Sequence, residues 1–270
     1  MATNTPLPLA TLRRKMLALT SYYETSTTEP DNFGVTAGNF DGAGLSWGAI
    51  QFNFGLIESH NTLSPIWRDL ITNHPTVTRG SFSNQADYDY WRNLIISNIY
   101  ANLKNFGKSI TDPTNKHKVI EPWKTNFMNL GRTQEAQDRQ VQGVKKYFDL
   151  AEDWKNEFRL WSRRGYALLF DIAVQSESIA KETKDLIKAD FTELSPTLSR
   201  EQLETEKMRI IANRRADAVS SRWKASYRER KLAIANGSGY VYGGDLFMDT
   251  SKYDIVLEPA FESDIYVPAH

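Results

Sequence analysis

From Tyr166 to Val174 the chain reads Tyr-Ala-Leu-Leu-Phe-Asp-Ile-Ala-Val, apolar at every position but one. A helix that is apolar on all sides has no face to offer water, so other elements must enclose it. Residues 156 to 177 are therefore expected to form a buried central helix. The rest of the chain supplies helices to surround it. Leu12, Met16, Leu19 and Tyr23 recur at i, i+4, i+7 and i+11, one face of a helix over residues 6 to 24. Ser64 to Asn73, Asn84 to Phe106 and Thr133 to Trp154 read as amphipathic helices, with Ile95, Ile96, Ile99 and Leu103 forming part of one stripe. Asp112-Pro113 and Glu121-Pro122 mark linkers. Ser199 with Gln202 has the form of a capping box and opens a long charged stretch, which Asn236-Gly237 stops. The tail from Tyr240 is aromatic and rich in turns. A mainly α fold follows.

Glu24 closes the first helix, because Thr25 to Pro30 is rich in hydroxyls and ends in proline. An acid beside a packed helix end is open to partial desolvation, which keeps a carboxyl protonated. A second acid, Asp41, stands 17 residues later in Asn39-Phe40-Asp41-Gly42-Ala43-Gly44-Leu45-Ser46-Trp47-Gly48-Ala49-Ile50-Gln51. Gly42, Gly44 and Gly48 permit tight turns in a hairpin-like ribbon from about 37 to 52, with a short strand in which Leu45, Trp47 and Ala49 alternate with Ser46, Gly48 and Ile50. Two carboxylates on different elements are what cleavage of a glycosidic bond requires. One protonates the leaving oxygen, and the other activates water or stabilises the oxocarbenium ion. Taken singly, each feature has a plainer reading. A Glu at a helix end is usually a solvated residue, and Asp-Gly-x-Gly is usually a turn. A calcium loop at Asn39-x-Asp41 lacks the later ligands and the terminal bidentate Glu.

Tyr23-Glu24-Thr25-Ser26 followed by Gly38-Asn39-Phe40-Asp41-Gly42-x-Gly44-Leu45-Ser46-Trp47-Gly48-x-Ile50-Gln51 resembles the lysozyme-like superfamily, and within it chitosanases and the peptidoglycan hydrolases of bacteria and phages. The resemblance implies a lysozyme-like helical domain over residues 1–270, with two lobes around an active-site cleft and a small β-ribbon beside it. It implies Glu24 as general acid, Asp41 as general base and Ser46 as the positioner of the attacking water. Asn39, Trp47, Gln51 and Asn53 are the expected sugar-binding groups of the ribbon. Phe170-Asp171-Ile172-Ala173-Val174-Gln175 is a weaker echo, placing Asp171 and Gln175 on the cleft floor; the alternative is that Asp171 pairs with Arg209, Arg214, Arg222 or Arg230. Chitosanases tend to carry His-Gly after that Gln, where this chain has Ser176-Glu177. Residues 55 to 155 resemble nothing in the superfamily.

The expected activity is therefore cleavage of β-1,4 bonds in peptidoglycan, a muramidase-like lysis of the cell wall. Chitosan is the alternative substrate. A non-catalytic glycan-binding or structural protein that kept the fold is the rival from another class. The groups near the ribbon, mainly Asn39, Trp47, Gln51, Asn53 and Phe54, are neutral hydrogen-bonding or stacking groups, which suits N-acetylated sugars. The aromatic share of 12% fits sugar stacking as well as a large core.

Lys plus Arg equals Asp plus Glu at 33 each, which argues against nucleic acid as partner. The absence of cysteine excludes disulfides, thiol catalysis and Cys-based zinc sites. His60, His74, His117 and His270 show no metal-ligand spacing, so neither a metal nor a cofactor is expected. Gly237-Ser238-Gly239 and Gly243-Gly244 lack the strand-then-helix setting of a phosphate loop. No stretch of 18 apolar residues exists to enter a membrane. Met1 to Leu9 does not have the form of a Sec signal. A monomer is expected, acting outside the cytoplasm after lysis, injection or non-Sec export.

Overall fold

The structure is a computed structural model and describes residues 6–241 and 244–265. Gly243 and His270 lie outside the described residues. The fold is mainly α. The described residues form twelve α-helices and five short strands, in two compact units. One unit is residues 17–144; the other comprises the residues up to Met16 and those from Lys145 onward.

The unit of residues 17–144 takes in the C-terminal part of α1 (Leu9–Thr25) and then a three-stranded antiparallel sheet. Its strands are β1 (Thr36–Ala37), β2 (Ser46–Trp47) and β3 (Phe52–Asn53), in that order. Trp47 pairs with Thr36 on one side and Phe52 on the other. The strand expected over 45–50 is thus cut to two residues. Gly48 ends it at φ +86°, a conformation that side chains rarely adopt. A Cβ at Gly48 would also meet Gln140 Oε1 at 2.3 Å. Both Ser46 and Trp47 are buried, so the in–out alternation expected along this strand does not hold.

Six helices follow: α2 (Leu63–Asn73), α3 (Pro75–Gly80), α4 (Gln85–Ser97), α5 (Tyr100–Ser109), α6 (Trp123–Gly131) and α7 (Gln134–Gly143). Their core is aromatic. Trp67 stacks on Phe127 at 4.7 Å and meets Trp91 edge-on at 5.4 Å. Such pairs add about 0.5–1.5 kcal/mol each beyond the area they bury. The helix expected over 84–106 is two helices. Asn98 adopts a left-handed conformation (φ +51°) and caps α4 by donating to the Leu94 carbonyl. The helix expected over 133–154 also breaks, at the fully buried Val144.

The second unit holds α8 (Lys145–Phe158), α9 (Arg163–Ser176), α10 (Lys181–Thr192), α11 (Arg200–Asp217) and α12 (Ser221–Asn236). A two-stranded hairpin, β4 (Ser238–Val241) with β5 (Gly244–Phe247), follows α12. The central apolar helix is α9, packed on α8, α11 and α12. Phe148 stacks on Phe170 at 4.2 Å. The capping box is formed as expected, with Gln202 N donating to Ser199 Oγ (3.2 Å) and Ser199 N to Gln202 Oε1 (2.9 Å). Gly237 stops α12 in the left-handed conformation. Glu204 of α11 is buried and braces the start of α9, accepting from Trp161 N, Ser162 N and Ser162 Oγ at 2.7–3.0 Å. Burial pushes its carboxyl up, against those hydrogen bonds.

Candidate functional site

Glu24 lies in the last turn of α1 and is exposed. The helix ends there because hydroxyls satisfy its terminal groups. Thr25 Oγ1 donates to the Ser21 carbonyl at 2.8 Å and accepts from Thr27 N at 3.2 Å, while Ser26 turns to φ +54°. The apolar face below it is fixed, with Leu12, Met16, Leu19 and Tyr23 all buried. The desolvated setting expected for Glu24 is not found, because its position past the end of that stripe turns it to the surface.

Asp41 is also exposed, on the turn between β1 and β2. One carboxylate oxygen accepts from Ala43 N at 2.9 Å, an Asx-type turn that fixes where the carboxylate sits. Asn39 locks the same turn, its Oδ1 accepting from Gly44 N at 2.8 Å and its backbone N–H donating to Thr111 Oγ1 at 2.9 Å. Ser46 is buried in β2, between Ala37 and Asn53. The other two polar residues of the ribbon also build turns. Gln51, at φ +59°, donates its side-chain amide to the Gly48 carbonyl at 3.0 Å. Asn53 Oδ1 accepts from Gly55 N at 2.9 Å. Asn39, Gln51 and Asn53 are all half-buried, and Asn53 Nδ2 also donates to the Gln51 carbonyl at 3.3 Å.

The Trp47 side chain is 0% exposed and its indole N–H donates to the Phe127 carbonyl at 3.0 Å. The ribbon's inner face packs on the aromatic core, and a ring held there cannot stack on a sugar. Trp47 is a core residue, and so is Phe54, 0% exposed and edge-on to Trp67 at 6.0 Å, which corrects the expected place of both among the groups facing a sugar.

Asp171 is corrected as well. It lies in the other unit, in α9, and is 0% exposed. Arg230 grips it with two hydrogen bonds (2.6 and 3.0 Å), and Lys231 also donates to it. Burial alone would push the Asp171 carboxyl up, but the charges of Arg230 and Lys231 hold it down at about 2. The ion-pair alternative is the one realised, with Arg230 as the partner foreseen and Lys231 added. Gln175, one turn further along α9, is exposed.

Sequence reasoning missed two residues that build the ribbon. Gln140 of α7 is fully buried and reaches it from below, accepting from Ala49 N and donating to the Phe33 carbonyl, both at 2.8 Å. Lys104 of α5 donates to the Gly42 carbonyl, next to Asp41, and to the Gly55 carbonyl at 2.8 Å. Burial lowers the Lys104 pKa; the Asp41 charge acts in the opposite sense, and that of Lys108 adds to the lowering. One signal for Lys104 was present. Gly107, three residues on and so on the same helix face, sits inside a helix, where glycine often marks a close backbone approach. A Cβ there would lie 2.7 Å from Leu45 N.

Among the described residues no cluster of His, Asp and Glu is arranged to hold a metal ion, and no helix is long and apolar enough to cross a membrane. Nothing matches this chain among protein-family models or curated proteins. Solved chitosanases are similar to it in structure. A chitosanase complex is 16% identical, with 87% of this chain and 95% of that one covered at a TM-score of 0.48. The GH46 chitosanase of Gynuella sunshinyii, in complex with chitotetraose, is 11% identical, with coverages of 90% and 99% and a TM-score of 0.48. The native chitosanase of Bacillus subtilis is 14% identical, with coverages of 84% and 86% and a TM-score of 0.43.

Proposed function

We propose that the chain is a glycoside hydrolase that cleaves β-1,4 bonds between amino sugars in the bacterial cell wall. One observation carries this reading. Two exposed carboxylates stand in one compact unit, Glu24 at the end of a packed helix and Asp41 on a turn locked by its own hydrogen bonds. In this reading Glu24 gives its proton to the glycosidic oxygen as the bond to the anomeric carbon breaks. Asp41 takes a proton from the attacking water, which Ser46 orients. Both carboxylates are carried on turns held by hydrogen bonds, and positioned acid–base chemistry needs such support. Inversion requires a carboxyl separation of roughly 6.5–9.5 Å, and retention about 5–5.5 Å. Peptidoglycan is the first substrate because the half-buried polar groups of the ribbon, Asn39, Gln51 and Asn53, are neutral amides, whose chemistry matches an acetamido group. The protein would act as a monomer outside the cytoplasm.

The test is loss of turbidity of purified cell walls beside reducing-end release from soluble chitosan, for wild type, Glu24→Gln and Asp41→Asn. Wall lysis that both substitutions reduce on the order of 10²–10⁴-fold, with the fold intact by circular dichroism, supports the reading. A Glu24→Gln protein that keeps more than about a tenth of the activity removes Glu24 as acid, a general acid contributing at least ~10²-fold. Cleavage of chitosan with the wall untouched would make the protein a chitosanase. Binding of glycan with neither polymer cut would make it a non-catalytic protein.

A further inference from the structure

Lys104 is held in a fixed place beside the candidate base. It bridges two turns of the ribbon, at Gly42 and Gly55, and Tyr100 OH donates to the same Gly55 carbonyl at 2.9 Å. Its ammonium lies 5.9 Å from the centre of the Tyr100 ring. Both acceptors it reaches are backbone carbonyls, which carry no formal charge. The acid whose field it meets is Asp41. Beside Asp41 and Lys108, whose charges reach this cation, two large apolar side chains are exposed near the same turns. Phe40 is 46% exposed and stacks on His117 at 4.3 Å; Leu56 is 65% exposed and stands against Gly42. Asp31, an acid from the segment before the ribbon, is already paired with Arg132 at 2.7 Å.

We propose that Lys104, with the apolar rim of Phe40 and Leu56, makes the ribbon select uncharged N-acetylated sugars against protonated glucosamine. The inference rests on the glycan reading above and names the substrate class of that site. A protonated amine arriving at the turn would be drawn by Asp41 but repelled by Lys104, which takes away part of the attraction it would otherwise gain. It would also lose hydration against Phe40 and Leu56. An acetamido group meets neither penalty, and its methyl gains apolar contact. Specificity of this kind comes from a repulsive element as much as from an attractive one.

The experiment compares binding of two soluble tetramers, N-acetylglucosamine and glucosamine, at pH 5.5 by calorimetry. It uses Glu24→Gln protein, alone and combined with Lys104→Met or Lys104→Arg. The expected outcome is a preference for the acetylated tetramer that Lys104→Met shifts toward glucosamine by on the order of 3- to 30-fold, the range for a unit charge several ångströms away between solvent-like and surface dielectrics. Lys104→Arg keeps the charge and should leave the ratio within about twofold. If Lys104→Met weakens both tetramers equally, Lys104 only braces the ribbon and the proposal falls. It also falls if the ratio does not move, or if neither tetramer binds. Binding is read without cleavage, so the two readings fail separately. A ratio that depends on Lys104 with no polymer cut sinks the hydrolase alone. Wall cleavage with an unmoved ratio sinks the selection alone.

Discussion

At the scale of single residues, the ribbon and the buried helix use acids in opposite ways. Asp41 gives one oxygen to its own turn and faces solvent, whereas Asp171 has no solvent at all. Removing Asp171 would leave Arg230 and Lys231 charged in the interior, and breaking a buried pair in this way costs about 3–5 kcal/mol. Asp171→Asn is therefore expected to lower the midpoint of chemical unfolding strongly; a change below about 1 kcal/mol would mean that the pair is hydrated in solution, since surface pairs fall in that range. The pH dependence has a definite sign. The Asp171 carboxyl is depressed from 3.8 to about 2, so its contribution is complete above the unfolded value and is lost as pH falls through about 2. Stability followed by urea titration between pH 5 and pH 2 should fall for wild type and fall less for Asp171→Asn. Ser46 gives a graded contrast in the ribbon. On the proposed roles, Ser46→Ala should reduce wall lysis less than Asp41→Asn does, because orienting a water would contribute less than accepting its proton. An equal loss would put Ser46 in the proton transfer itself.

At the scale of elements, the ribbon is a set of glycine-enabled turns fastened to helices by polar side chains. Gly48 shows why. A Cβ there meets both a positive φ and Gln140, which serves Ala49 and Phe33 at once. Gly48→Ala is expected to cost more than 1 kcal/mol and to lower the melting temperature by several degrees. Gly80→Ala, at the end of α3 with open space around it, should be neutral or gain about 0.4–1 kcal/mol. Thermal melts of the two variants decide whether the Gly48–Gln140 contact fastens the ribbon. The glycines of this segment were legible from the sequence, as were α1, α2, the Ser199 capping box and the Gly237 stop, because each is governed by neighbours in the chain. The breaks at Asn98 and Val144 were not. The stripe of Ile95, Ile99 and Leu103 runs through Asn98 without losing its period, so only the backbone reveals the turn. Gln140 and Lys104 act on residues far away in sequence, and hydrophobic periodicity carries no information about a polar side chain that crosses to another element. Trp47 was misplaced because its position in the ribbon was read as access to a sugar, whereas alternation had set it with Leu45 and Ala49, and all three are buried.

At the scale of the whole molecule, equal numbers of acids and bases mean that no net field draws the protein to an anionic wall. A local charge such as Lys104 acts over a Debye length of about 8–10 Å at physiological salt, which is the range the proposed selection at the ribbon needs but is too short to steer the approach. If the proposed cell-wall activity holds, capture depends on contact at the site, and its rate should vary little with ionic strength. The measurement is the initial rate of wall lysis between 20 and 200 mM sodium chloride at constant pH. A change within about threefold is expected, far from the 10³–10⁵-fold losses that binding through many phosphate contacts shows over a comparable range. A steep fall would mean that a basic patch delivers the protein to the wall. Product analysis by mass spectrometry at both salt concentrations completes the test, since cleavage between the amino sugars must give the same muropeptide fragments whatever the salt. If the fragments change with salt, two modes of engagement are at work, and the two carboxylates of one unit do not account for the whole activity.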